Sequence, residues 1–71
     1  MTTRTMIVFP TYIAMLMDVS AIELGSRKAW VLTRTMRRIP VSRDAFTPED
    51  LSPETSASAL ALKAFKLTEG L

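Results

Sequence analysis

The chain contains neither cysteine nor histidine in its 71 residues. Disulfide bonds are therefore excluded, and so are the thiolate and imidazole ligands on which most zinc sites depend. With only two glycines, the chain also lacks a loop that could cradle a phosphate. Catalysis would need carboxylates, lysine or serine, and the acids at Glu49, Asp50 and Glu54 are better explained by the favourable field at helix starts. We therefore expect no enzyme activity, no cofactor and no metal.

Hydrophobic side chains, in contrast, make up 48% of the chain. A lone domain of this size buries only about 60% of the surface that its unfolded chain exposes, so its core is small. A second copy or a larger partner would supply additional core. The composition therefore predicts a homodimer or a subunit of an assembly.

Charge is divided into two blocks. Between Ser26 and Arg43 there are six basic side chains and no acid, whereas Asp44 to Glu54 holds four acids and no base. The basic block suits a polyanion such as nucleic acid or anionic lipid, although two ordinary solvated surfaces would give the same pattern.

Proline and glycine punctuate the first half of the chain. Residues 2–9 are rich in threonine and β-branched side chains, which predicts a short strand. Pro10 and Gly25 are typical of the first turn and the left-handed end of a helix, so a first helix is expected over 11–24. A second helix is expected from Ser26 to Ile39, because Ser26 is a good N-cap and Pro40 cannot continue a helix.

The second half is expected to begin with a connector over 40–52. Thr47–Asp50 and Ser52–Thr55 each combine a capping hydroxyl, a proline and an acid, which is typical of a helix start. The second of these predicts a C-terminal helix within 53–71, used for packing or partner binding. The expected fold class is therefore mainly α: a short N-terminal strand, two helices and a C-terminal helix, in a dimer.

This order of elements resembles the ribbon-helix-helix family of small DNA-binding proteins, which includes Arc- and MetJ-like repressors and many antitoxins. The resemblance covers residues 2–39 and is carried by Ile7, Phe9, Pro10, Ile13, Met17, Asp18, Ala21, Leu24, Gly25, Ser26, Val31, Leu32 and Met36. It implies that two chains pair their strands antiparallel, and that residues 1–39 form the dimerisation and DNA-binding unit.

The resemblance also implies roles for particular residues. Outward side chains of the paired strands would read base edges in the major groove of double-stranded DNA, and here these are Arg4, Met6 and Val8. A phosphate would bind at the start of the second helix, formed by Gly25, Ser26, Arg27 and Lys28. In antitoxin members a C-terminal extension covers a toxin, and the corresponding anchors, unless they pack on their own dimer, would be Phe46, Leu51, Leu60 and Phe65.

We therefore expect a sequence-preferring DNA-binding regulator, a repressor or antitoxin-like homodimer, in the cytoplasm. The alternative is a small non-catalytic accessory subunit of a larger assembly, which could be membrane-associated. In that assembly the basic side chains would meet acidic protein, RNA or lipid, and Trp30 would anchor the interface unless it is a partly buried core residue. A membrane span over Met6–Leu24 is disfavoured, because it would place Asp18 and Glu23 within the bilayer.

Overall fold

The computed structural model of the chain describes residues 5–69. Strand β1 is followed by helix α1, three further strands, a short 3-10 turn and helix α2. Their bounds are β1 Thr5–Val8, α1 Thr11–Met17, β2 Ala21–Leu24, β3 Lys28–Leu32, β4 Arg38–Ser42, the 3-10 turn Arg43–Ala45 and α2 Ala57–Glu69. The strands form one antiparallel sheet in the order β1-β2-β3-β4. The domain is therefore α+β.

The expected mainly α fold class is wrong. The helix expected over 11–24 ends at Met17, and the helix expected over 26–39 is a pair of strands joined by a turn. Pro40 lies within β4 and does not end a helix. The C-terminal helix is present, but it begins at Ala57, where Ser56 caps it by accepting the N–H of Ala59 at 3.1 Å.

Asp18 ends α1. Its backbone has φ 54° and ψ 30°, and its N–H donates to the carbonyl of Ala14 at 2.9 Å. Aspartate is one of the few residues other than glycine that adopt this left-handed conformation readily. Gly25, in contrast, has no positive φ. The left-handed helix end expected at Gly25 is thus formed at Asp18 instead.

The segment after Asp18 is mostly apolar, with Glu23 as the charged residue of β2, because β2 is buried on both of its faces. All four residues of β2 are buried. An apolar run of this kind suits a buried helix and a central strand equally, and periodicity alone does not separate them. In β3 the strand pattern is visible: Ala29 and Val31 are buried, while Lys28 at the start of the strand is exposed.

The core lies between one face of the sheet and the two helices. Ile22 and Val31, which are partners in the register, meet Ile13 from α1 and the small side chains Ala61 and Ala64 from α2. Alanine at the facing positions allows α2 to approach the strands closely. Both helices therefore cover the same face of the sheet.

Asp50 joins the loop before α2 to the helix itself. Its carboxylate accepts the N–H of Thr47 at 2.8 Å and the Thr47 hydroxyl at 3.0 Å, and it also forms an ion pair with the ammonium group of Lys63 in α2. The hydrogen bond from Lys63, followed by that from the Thr47 backbone, lowers the pKa of the Asp50 carboxyl below its usual value.

We predict that Asp50→Asn lowers the melting temperature at neutral pH and makes the melting temperature fall less as the pH is lowered. A lowered pKa in the folded state means that the stabilisation is fully present above the ordinary carboxyl pKa of about 3.9, and is lost as pH falls through the lowered value. Thermal unfolding followed by circular dichroism between neutral and strongly acid pH measures this. Glu54→Gln, at an exposed acid of the same loop, is the control. Identical acid profiles for Asp50→Asn and the unaltered protein would contradict the prediction.

Candidate interaction surface

The sheet face opposite the helices, called here the open face, is covered by neither helix. The strand register places its side chains in rows across the sheet, and two of these rows span all four strands. One row is Met6, Glu23, Trp30 and Pro40, and the next is Val8, Ala21, Leu32 and Arg38. Met6 and Val8 are 53% and 70% exposed, whereas Glu23 in the centre is buried.

Arg38 ties three strands together on the open face. Its Nη2 donates to Oε1 of Glu23 at 2.9 Å, and its guanidinium carbon lies 4.2 Å from the centroid of the Trp30 ring. The side chain therefore runs from β4 across β3 to β2. An arginine over an indole face gains cation–π energy, and its charge compensates a carboxylate that has little access to water.

Gly25 leaves room for the Trp30 ring at the end of β2. A Cβ atom at this position would lie 3.3 Å from Cζ3 of Trp30 and 3.0 Å from the carbonyl oxygen of Lys28. The N–H of Gly25 donates to that same carbonyl at 2.8 Å and closes the turn between β2 and β3. Glycine is thus favoured here by close approach and not by a left-handed backbone.

The residues expected to bind phosphate lie together in this turn. Ser26, Arg27 and Lys28 are exposed, and they follow Gly25 between two strands. No helix begins here, so the helix dipole that was expected to hold a phosphate is absent from this turn. What the turn offers an anion is the charge of Arg27 and Lys28.

The residues expected to read bases are only partly described. Met6 and Val8 lie side by side on the open face, and Arg4 lies outside the described residues. Trp30, expected as an interface anchor, is half-buried on the same face. Phe46 and Leu60 are buried in the core, and Leu51 and Phe65 pack against it, so these four do not form an exposed surface.

The two edges of the sheet differ in how they are protected, and β4 is the protected one. The N–H of Thr33 donates to the carbonyl of Arg37 at 2.9 Å, and hydrogen-bonded pairs alternate along an antiparallel ladder. Pro40 therefore sits where backbone groups point away from β3. The N–H that proline lacks is missing from the free edge, which is a common way to discourage further pairing.

The free edge of β1 has no such protection within the described residues. The N–H of Phe9 donates to the carbonyl of Ser20 at 3.0 Å, so the same alternation turns the backbone groups of Met6 and Val8 away from β2. β1 contains no charged residue. It therefore presents free donors and acceptors beside exposed apolar side chains.

An apolar patch lies on α1, the element that follows β1. Tyr12, Met15 and Leu16 are 64%, 63% and 79% exposed, and their spacing places them on one side of the helix. Ile13 and Ala14 on the other side are buried in the core. The apolar side chains of this segment thus include a set that residues 5–69 leave exposed.

Residues 5–69 contain no cluster of three or more acidic, histidine or cysteine side chains placed to hold a metal ion. None of the helices in that range has the length and apolar character needed to cross a membrane. Comparison with protein-family models, curated proteins and solved structures finds no match for this chain.

We predict that Arg38→Ala destabilises the fold by about 1–2 kcal/mol, because the buried Glu23 carboxylate loses a charged hydrogen bond. The effect is not larger because the Arg38 side chain is half-exposed, and such ion pairs stabilise a fold less than fully buried ones. Urea unfolding followed by the fluorescence of Trp30, the single tryptophan, measures both the stability and the changed ring environment. Arg34→Ala, at an exposed turn position, should change the stability by less than about 0.5 kcal/mol. Equal effects of the two substitutions would contradict the role assigned to Arg38.

Proposed function

We propose that the protein is a non-catalytic assembly module, a small accessory subunit that associates through the free edge of β1. The observation that carries the proposal is the difference between the two edges: β4 has Pro40 at an outward backbone position, whereas β1 has Met6 and Val8. Natural proteins rarely leave an apolar edge strand without proline, charge or a covering element, because such an edge templates the addition of another strand.

The occupant that we propose for this edge is β1 of a second copy. In a two-fold arrangement centred on Ile7, Met6 of one chain lies opposite Val8 of the other. These are the residues whose backbone groups point outward, so each such pair can exchange two N–H···O bonds. Because β1 carries no charge, self-pairing brings no like charges together. Two sheets would join into one, with their open faces continuous.

The side chains add apolar contact to this backbone pairing. Burying a valine or methionine side chain gains about 1.5–3 kcal/mol, while association costs at least about 4 kcal/mol in lost freedom. The free energy gained by burying these side chains is thus similar to the free-energy cost of association when only β1 contributes to the interface. A concentration-dependent dimer of modest affinity is the expected form.

We predict that Val8→Lys weakens the dimer at least tenfold, because it places a charge opposite Met6 of the partner and a second one across the two-fold axis. Sedimentation equilibrium or light scattering over a concentration series should give about twice the 7.9 kDa of one chain for the unaltered protein. The variant should give the mass of a single chain. Ser42→Lys, which adds the same charge at an exposed position of β4, is the matched control and should still dimerise. A monomeric unaltered protein, or equal masses for both variants, would contradict the proposal.

A second candidate function is nucleic-acid binding, as expected for a DNA-binding regulator. What favours it is the placement of exposed cations at both ends of β3: Arg27 and Lys28 at one turn, Arg34 and Arg37 at the other. The Arg38 guanidinium lies over Trp30 on the open face between the two turns. Contacts from both turns to phosphates would give affinity that falls steeply with salt.

For this second function we predict binding of a labelled DNA duplex at about 50 mM salt that falls at least tenfold by about 200 mM salt. Arg27→Ala with Lys28→Ala should lower the slope of log affinity against log salt by about 2, since each lost phosphate contact removes about one unit. Fluorescence anisotropy is the measurement. Lys66→Ala, which removes an exposed cation of α2, should leave the slope unchanged. Absence of binding at the lower salt concentration would eliminate the candidate.

A further inference from the structure

A cleft lies at the opposite side of the sheet from β1, beside the protected edge of β4. It has a volume of about 520 Å³ and lies between the β2–β3 turn, β4 and the last turns of α2. This volume is within the range of clefts that hold small molecules. The side chains that matter for its chemistry are Arg27, Lys28, Pro40, Val41, Ser42 and Leu67.

The polar side chains of this cleft all suit an anion. Arg27 and Lys28 are its charged groups, and no acid is among the residues that line it. Neither cation has a carboxylate partner within residues 5–69, where the ion pairs are those of Arg38 with Glu23 and Lys63 with Asp50. The Ser42 oxygen accepts the N–H of Asp44 at 3.3 Å, so its O–H stays free to donate to a ligand.

The rest of the cleft is apolar. Pro40 contributes from the open-face side of β4, and Val41 and Leu67 contribute from the helix side. Leu67 also packs against the core, which holds that part of the cleft in place. A fully hydrated ion such as acetate would gain little from these side chains. A molecule with an apolar body would bury part of it against them and gain about 25 cal/mol for each Å² removed from water.

We propose that this cleft binds a small organic carboxylate with an aliphatic body. The carboxylate would lie between Arg27 and Lys28, because the planar guanidinium matches a carboxylate with two parallel hydrogen bonds. The aliphatic part would lie along Val41, Pro40 and Leu67. The cleft is independent of the β1 edge, so a ligand here and a second copy there do not compete.

The test uses sodium octanoate, with acetate as the charged group alone and octanol as the apolar body alone. Titration of the isotope-labelled protein by heteronuclear NMR should give saturable shifts of the Arg27, Lys28 and Val41 amides with octanoate. Acetate and octanol should bind at least tenfold more weakly. Signals of Met6 and Val8 on the open face report binding elsewhere and should not shift.

Two double variants with the same change in charge complete the design. Arg27→Gln with Lys28→Gln should weaken the binding of octanoate at least tenfold. Arg34→Gln with Arg37→Gln, at the other turn, should change the affinity for octanoate less than twofold. Retained dispersion of the NMR spectrum confirms that each variant is folded. Equal losses in both variants, equal binding of acetate or octanol, or shifts centred on Met6 and Val8 would overturn the proposal. Pro40→Ser should weaken the binding of octanoate and leave the binding of acetate unchanged. The reverse result would also overturn the proposal.

Discussion

The burial of β2 on both faces is the constraint on which the rest of this structure depends. Residues 5–69 form two α-helices, and both lie on the same face of the sheet. On the other face of β2, side chains of the sheet itself contribute to the cover. Arg38 does this by lying over Trp30 and reaching Glu23, so a buried carboxylate in the central strand is tolerated because β4 supplies its counter-charge.

This arrangement explains why the exposed apolar groups are found where they are. Among the described residues, Arg38 and Trp30 contact each other and Arg38 pairs with Glu23, while Met6 and Val8 on the β1 side of the open face are exposed. The helices likewise direct Ile13 and Ala14 inward, and the opposite side of so short a helix as α1 has nothing in the described chain to pack on. Exposure of large apolar side chains is thus concentrated in β1 and α1, and contiguous exposure of this kind is typical of an interface.

How far the sequence predicts this fold can be followed residue by residue. The strand before Pro10 and the helix near the C-terminus are found, because β-branched composition and a long apolar stripe are strong local signals. The middle of the chain misleads for two physical reasons. Gly25 suggested a helix end, although what favours glycine there is the close approach of Trp30. Met36 takes the left-handed position in the β3–β4 turn with φ 63°, where glycine or asparagine would have indicated a hairpin.

The same limits apply to the candidate surfaces. Arg27 and Lys28 could be singled out from sequence because an unbroken basic block is visible without knowing the fold. Their neighbours Pro40 and Leu67 could not, because only the register of β4 against β3 and the packing of α2 bring them to the turn. Arg38 and Glu23 lie fifteen residues apart, and nothing local relates them.

Pro40 makes the two edges of this sheet differ in their capacity to pair with another strand. At its outward backbone position proline removes a donor, so β4 is a poor template for another strand. Pro40 also lines the cleft that contains Arg27 and Lys28. β1 has the opposite properties, with backbone groups available and no charge or proline within Thr5–Val8. One residue type at one register position therefore disfavours strand addition at β4, in agreement with the strand addition proposed for β1 and the ligand site proposed beside β4. An assembly built through β1 would carry its clefts at the two far ends of the joined sheet, where neither copy obstructs the other.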